Sequence, residues 1–196
     1  MGSHGLLGKQ NVYEQSMRCP LIIRGPGIPA NQSSVAYSYI HDLYATICDY
    51  SGVETPGDLD SKTLRPIIEG QKLSIHDSLF LPFQNSQRAV SDGTWKLHRY
   101  PKINHQLLFN LEEDPHEMND LAASSEAAKE LDRMNQLMEV TREKFRDPYP
   151  IASETPDPKT PTYDNDSRVL DVWQPKWIRD KYFGGRENPS YGKKAK

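Results

Sequence analysis

The sequence predicts an α/β fold in which a small antiparallel sheet packs against one long helix. Three observations lead to this prediction: a short apolar run at 21–23 closed by a Gly- and Pro-rich loop, strand-like stretches between 79 and 111, and a helical apolar stripe over 127–145. A continuous apolar run is typical of a strand buried on both faces. We therefore expect residues 21–23 to form a strand at the edge of a larger sheet.

Two helices are expected between this strand and the small sheet. Residues 39–48 repeat apolar side chains at spacings of three and four, and Gly52 is placed to end the resulting amphipathic helix. Residues 63–68 predict a shorter helix, because Pro66 falls in its first turn, where a missing N–H is tolerated.

The small sheet is predicted from closely spaced strand patterns. Residues 88–91 and 94–100 flank Asp92-Gly93, a two-residue link that is a strong hairpin signal. Residues 106–111 supply a third strand and 79–81 a fourth. Since successive strands with short links pair antiparallel, we expect an antiparallel sheet.

Alternation along residues 94–100 assigns the two faces of the sheet. Trp95 and Leu97 read as the core face, with Lys96 and His98 on a solvated face. His98 and His105 could face each other across neighbouring strands, but a solvated strand face is the favoured interpretation of both. The long helix, capped by Ser124 or Ser125, should cover the core face.

The chain is accordingly divided into three parts. Residues 1–75 form an α/β part, residues 76–147 form the small sheet with its helix, and residues 148–196 form a Pro-rich extended tail. The tail contains an apolar cluster with Trp173 and Trp177, which we expect to dock on the body.

Composition excludes several classes of function. The formal net charge of -3 mixes 24 basic with 27 acidic residues, so no field gathers nucleic acid or anionic lipid. No apolar run is long enough to cross a bilayer, and no signal peptide is recognised, so the location is left open. Cys19 and Cys48 lack metal or redox spacing and are expected to be buried thiols.

Residues 4–23 (HGLLGKQNVYEQSMRCPLII) resemble the second signature region of type I sulfatases, which are relatives of alkaline phosphatase. Residues 41–48 (HDLYATIC) and 64–68 (LRPII) are similar to the helical stretch that follows in those enzymes, and 92–97 (DGTWKL) with 106–117 (QLLFNLEEDPHE) to their C-terminal subdomain. The resemblance implies the C-terminal part of an alkaline-phosphatase-like sulfatase.

The family's chemistry requires groups that this sequence does not contain. Family members attack a sulfate ester with a hydrated formylglycine, made from the cysteine of a Cys-x-Pro-x-Arg or similar motif, beside calcium or another divalent metal. Neither Cys19 nor Cys48 is followed by that pattern, and the family's metal-ligand steps precede the segment matched by His4. The resemblance therefore implies no catalytic residue and no metal ligand in this chain.

Two substrate-contact residues are carried over from the resemblance. Lys9 matches the lysine that contacts the substrate sulfate, and an ammonium suits this role because it neutralises charge on the transferring group. His4 is expected to line the same pocket.

We expect a C-terminal sulfatase fragment that is inactive alone, with the missing N-terminal half as a possible partner and a sulfate ester, such as a sulfated carbohydrate, as substrate. A cut sheet edge should favour self-association. Two alternatives are kept: a truncated gene product without function, and a non-catalytic module that binds sulfated or anionic carbohydrate. The residues expected to form such a module are Lys9, His98, Arg99, Lys102 and His105.

Overall fold

A computed structural model describes residues 3–6, 8–159, 170 and 174–187. The chain divides into two compact units, residues 1–157 and 158–196. The elements of the first unit are a 3-10 turn Ser3–Gly5, α1 Glu14–Met17, α2 Asp42–Ser51, α3 Arg65–Ile68, β1 Leu79–Phe83, β2 Gln87–Ser91, β3 Trp95–Tyr100, a 3-10 turn Pro101–Ile103, β4 His105–Asn110 and α4 Ala128–Lys144. The second unit contains α5 Lys176–Tyr182.

Both helices predicted in the first third of the chain are confirmed. Helix α2 spans Asp42–Ser51 and is capped by Gly52, whose left-handed backbone (φ 69°) lets its N–H bond the carbonyls of the last turn. Helix α3 is a single turn with Pro66 at its N-terminus, as the sequence predicted.

The strand predicted at residues 21–23 is wrong. No strand lies between residues 18 and 38, all of which are described, and the side chain of Ile22 is 92% exposed. A strand requires a neighbour that pairs with its N–H and C=O groups. This segment has none among the described residues, and its backbone forms no strand there.

The predicted antiparallel sheet is confirmed, including its fourth strand. The strands run in the order β1-β2-β3-β4, with Val90 opposite Leu97 and Leu97 opposite Leu108. In the tight link between β2 and β3, the Asp92 carboxylate accepts hydrogen bonds from the backbone N–H groups of Thr94 and Trp95. The turn chemistry expected from Asp92-Gly93 therefore operates here.

Helix α4 covers one face of this sheet, which we call the helix face. Its core consists of fully or nearly fully buried residues: Phe80, Val90, Leu97, Leu108, Ala127, Met134 and Met138. The helix begins after Ala127 without a side-chain cap, so the capping expected from Ser124 or Ser125 is not seen. The end of α4 is fixed by a bidentate ion pair from Arg88 to Asp147, at 2.7 and 3.0 Å.

Part of the Pro-rich segment contacts the small sheet. Ile151 packs against the helix-face core, and Asn104 exchanges two hydrogen bonds with the backbone of Ser153. Trp173 lies outside the described residues, so docking of the tryptophan cluster stays a prediction. Among the helices that the structure describes, none is long and apolar enough to span a membrane.

Candidate functional site

The two residues expected to contact sulfate lie in the loop before α1. His4 has a left-handed backbone (φ 54°), and its ring stacks on that of Tyr13 with a centroid distance of 3.9 Å. Lys9 is exposed, and no described residue forms a hydrogen bond or ion pair with its ammonium group. Lys9 is thus an exposed, unpaired cation, and it lies close in sequence to a buried segment that we call the anchor.

That anchor is the run Asn11-Val12-Tyr13, which is buried against the sheet. Val12 is completely buried and Asn11 is 2% exposed. The Asn11 side chain accepts a hydrogen bond from the Tyr13 backbone N–H and donates one to the carbonyl of Gly8. A side chain that bonds the backbone on both sides shapes the chain locally, so the backbone next to Lys9 is held by Asn11.

The anchor covers the second face of the sheet, which we call the loop face. This face carries Lys96, His98, Phe109 and Ala89, all at most 2% exposed. The expectation of a solvated face for Lys96 and His98 is wrong. Alternation assigned both side chains to one face correctly, but residues 11–14 and the loop after β4 cover that face.

Four ionisable side chains meet under this cover, and we call them the loop-face cluster: Glu14, Lys96, His98 and Glu117. The Lys96 ammonium lies 2.7 Å from a Glu14 carboxylate oxygen and 3.1 Å from one of Glu117. Glu117 also accepts hydrogen bonds from His98 Nε2 at 2.9 Å and from the Glu14 backbone N–H at 2.6 Å. Each of these contacts is charge-assisted, because at least one partner carries a formal charge, and this suits a buried carboxylate.

Burial and charge set the protonation of this cluster. Burial alone would raise the pKa of Glu117, but the His98 hydrogen bond and the Lys96 charge outweigh it, so its pKa lies below the usual value. Burial lowers the pKa of His98, against the opposing effect of Glu117. Neutral His98 then donates from Nε2 to the Glu117 carboxylate, and its buried Nδ1 has no hydrogen-bond partner in the described structure.

The residues expected to form a carbohydrate-binding module do not share one surface. His98 is fully buried, and Arg99 points to the helix face, where it donates to Asn135 of α4. His105 lies opposite Tyr100 and His98 lies opposite Leu107, so the alternative in which the two histidines face each other is not seen. Only Lys9 and Lys102 of that set are exposed.

The described residues do not fit a metal or a formylglycine. No group of three His, Cys, Asp or Glu side chains among them is arranged to hold a metal ion. Cys48 is buried in α2, whereas Cys19 is exposed, which corrects the expectation of two buried thiols. Neither cysteine lies in a Cys-x-Pro-x-Arg sequence.

Solved structures place this fold among the sulfatases of the alkaline phosphatase superfamily. One of them, a protein in complex with its substrate D-glucosamine-2-N,6-O-disulfate, matches with a TM-score of 0.69 and 28% identity, over 78% of this chain and 34% of its own. The phosphonate monoester hydrolase of Silicibacter pomeroyi matches with a TM-score of 0.63 and 25% identity, over 70% of this chain and 31% of its own.

Residues 2–144 match the family described as N-sulphoglucosamine sulphohydrolase, C-terminal, and the chain belongs to this family. A relative, the N-acetylglucosamine-6-O-sulfatase of Bacteroides thetaiotaomicron, is 32% identical over 79% of this chain and 30% of its own length. Arylsulfatase K of Xenopus laevis is 29% identical over 66% of this chain and 27% of its length. The chain thus spans about a third of the curated relatives it matches.

Proposed function

We propose that this chain provides the C-terminal part of a sulfatase that acts on a sulfated amino sugar, and that Lys9 and His4 face the sulfate group of the substrate. The observation that carries the proposal is the loop of residues 4–13, which matches the family and holds an exposed, unpaired lysine beside a buried anchor. An ammonium in this position stabilises negative charge on a transferring sulfuryl group.

The substrate class is inferred from relatives. The N-acetylglucosamine-6-O-sulfatase and the solved protein bound to D-glucosamine-2-N,6-O-disulfate both act on sulfated glucosamine derivatives, as their names state. We extend this class to the present chain, because both similarities cover more than three quarters of it.

We further propose that the nucleophile and the calcium ligands are supplied by polypeptide corresponding to the remaining length of the relatives. The absence of a metal cluster among the described residues supports this division. The isolated chain is then expected to hydrolyse nothing. A sulfatase measurement on the pure chain, with a chromogenic aryl sulfate and calcium, checks this, and turnover above background contradicts it.

The function is tested by restoring the missing part. The C-terminal region of the Bacteroides thetaiotaomicron N-acetylglucosamine-6-O-sulfatase is replaced by this chain, and release of sulfate from N-acetylglucosamine 6-sulfate is measured. We expect activity in the joined enzyme and a loss of about 100- to 1,000-fold with Lys9→Ala, which is typical when a charge-stabilising donor is removed.

Lys72→Ala is the matched control, because Lys72 is also an exposed lysine but lies outside the loop. Equal activity of the Lys9→Ala and unmodified joined enzymes contradicts the proposed role of Lys9. For the carbohydrate-binding alternative, calorimetric titration of the isolated chain with sulfated oligosaccharides is decisive. Tight binding by the chain alone favours that alternative, and no binding favours the sulfatase part.

A further inference from the structure

The loop-face cluster connects segments that are far apart in sequence. Glu14 and Glu117 are separated by 103 positions, and Lys96 is 82 positions from Glu14. The side chains of Lys96 and Glu117 are completely buried, and that of Glu14 is 21% exposed. The cluster therefore joins three parts of the chain, which are the first residue of α1, strand β3 and the loop after β4, and we call this connection the joint.

Stability alone does not account for such a joint. Apolar residues of similar volume often stabilise a fold as well as a buried ion pair does, because charges lose hydration when they are buried. A charged joint differs from an apolar contact in being directional, since each donor must meet its acceptor within about 3 Å. What the cluster adds is a fixed orientation of the segments that it joins.

The contacts lead from Glu117 to the proposed sulfate-facing loop. Glu117 accepts the backbone N–H of Glu14, the residue that follows Tyr13. The ring of Tyr13 lies edge-on to His98 at 4.7 Å and is stacked on His4. On the other side of Tyr13, Asn11 ties the backbone back to Gly8, the neighbour of Lys9.

Glu117 itself has an unusual backbone. Its φ of 56° is left-handed, a conformation that is unfavourable for a residue with a Cβ and persists where surrounding contacts impose it. Its carboxylate is the only acceptor in the described structure that bonds Lys96, His98 and the Glu14 backbone together. The strained backbone is thus found at the residue on which the joint converges.

We propose that Glu117 and Lys96 are positioning residues, which hold the loop of residues 4–13 so that Lys9 and His4 face the substrate. This inference rests on the proposed function, because that function gives Lys9 and His4 a substrate to face. The contacts of the joint can be tested without it, on the isolated chain. Glu117 and Lys96 touch no substrate in this scheme and act only through the loop.

Hydrogen exchange on the intact chain tests the joint directly. In Glu117→Gln, one charge is removed at nearly constant shape, and the amides of residues 11–17 should exchange about 10- to 100-fold faster, in line with loss of a charge-assisted hydrogen bond. Amides of β1 and α4 should keep their exchange rates. Glu113→Gln is the control, because Glu113 lies on the same loop but is exposed.

Two outcomes overturn the joint: unchanged exchange at residues 11–17, or equal acceleration throughout the sheet, which indicates a role in global stability only. Where Glu117→Gln fails to fold, Lys96→Arg and Lys96→Met replace it. The arginine variant, which keeps the positive charge, should retain more protection at residues 11–17 than the methionine variant, and equal loss in both overturns the proposal.

The link to function is measured in the joined enzyme. Glu117→Gln should raise KM, and it should add little to the loss caused by Lys9→Ala, because the joint acts through Lys9. Additive losses overturn the positioning role. If Lys9→Ala has no effect while exchange at residues 11–17 still accelerates in Glu117→Gln, the proposed function fails but the joint stands.

Discussion

The two faces of the small sheet are built by different means. The helix face packs Leu97 and Leu108 against Met134 and Met138 of a helix that follows the sheet in sequence. The loop face buries Lys96 and other charges beneath a segment that includes Glu14, which lies 82 positions before Lys96 in sequence. One face is closed by apolar contact and the other by directed charge contacts.

The two faces therefore place different requirements on the segments that cover them. Apolar side chains gain from any close-packed neighbour, so the helix face needs α4 as a cover but no particular donor or acceptor on it. A buried lysine gains only where carboxylates are held at bonding distance, so the loop face needs Glu14 and Glu117 in place. The first face supports the fold, and the second fixes a loop.

The largest expected effect comes from the one buried ion pair at the margin of the helix face. The side chains of Arg88 and Asp147 are 1% and 6% exposed. Arg88→Met leaves the Asp147 carboxylate buried without its main partner, and the free energy of unfolding should fall by about 3–5 kcal/mol. Urea unfolding followed by circular dichroism measures this change.

Arg133→Met is the control for that experiment. Arg133 is also an arginine paired with carboxylates, those of Asp92 and Glu130, but its side chain is 45% exposed. Its loss should cost at most about 1 kcal/mol, because water screens exposed pairs. Similar losses in the two variants would show that burial does not separate them.

The apolar packing of the helix face gives the next effect. Leu108→Ala removes a completely buried side chain from the centre of the core. The free energy of unfolding should fall by about 2–5 kcal/mol, with loss of burial and a residual cavity both contributing. Val140→Ala on the exposed side of α4 should change it by less than about 0.5 kcal/mol. A small effect of Leu108→Ala would mean that the helix face is loosely packed.

The loop face should be the more sensitive of the two to acid. The pKa values of His98 and Glu117 both lie below their ordinary values of 6.5 and 4.5. The unfolded chain therefore binds more protons on acidification, and stability falls as the pH decreases. The His98 contribution is complete above about pH 6.5 and is lost below it, and the Glu117 contribution is lost below about pH 4.5.

Urea unfolding between pH 7.5 and pH 5 measures the first of these losses. The ionisable groups that face His98 are Tyr13, Glu14, Lys96, Tyr100 and Glu117. His98→Gln should flatten the decline in stability with acid, whereas His116→Gln, an exposed histidine beside Glu117, should leave it unchanged. A decline of the same slope in His98→Gln would assign the acid sensitivity to other groups.

The same contrast explains what the sequence could predict. The sheet, its order and α4 follow from local patterns, because alternation, the Asp92-Gly93 link and a helical stripe each lie within a few residues. Alternation also grouped Lys96 with His98, but which face meets solvent depends on distant residues. Glu117 was not identified, since a single acidic residue in a turn carries no local signal for a partner in β3.

The candidate site was predictable only in part. Lys9 and His4 came from a family resemblance, and the match over residues 2–144 supports that resemblance without testing their roles. The strand at residues 21–23 was mispredicted because an apolar run favours burial, whereas a strand also needs a pairing partner, and none is found among the described residues.

The smallest effect on stability, and a distinct effect on assembly, is expected at the exposed apolar residues. Ile40 and Ile47 of the α2 region are 86% and 65% exposed, and Ile22 of the unpaired run is 92% exposed. Such patches favour association, so the isolated chain should form oligomers in size-exclusion chromatography as its concentration rises.

The double variant Ile40→Ser with Ile47→Ser should shift the equilibrium from oligomer towards monomer. Its free energy of unfolding should change by at most about 0.5 kcal/mol, because neither side chain contributes to a core. Val140→Ser, on the exposed side of α4, is the matched control, and an equal shift in that variant would mean that association does not run through the α2 surface.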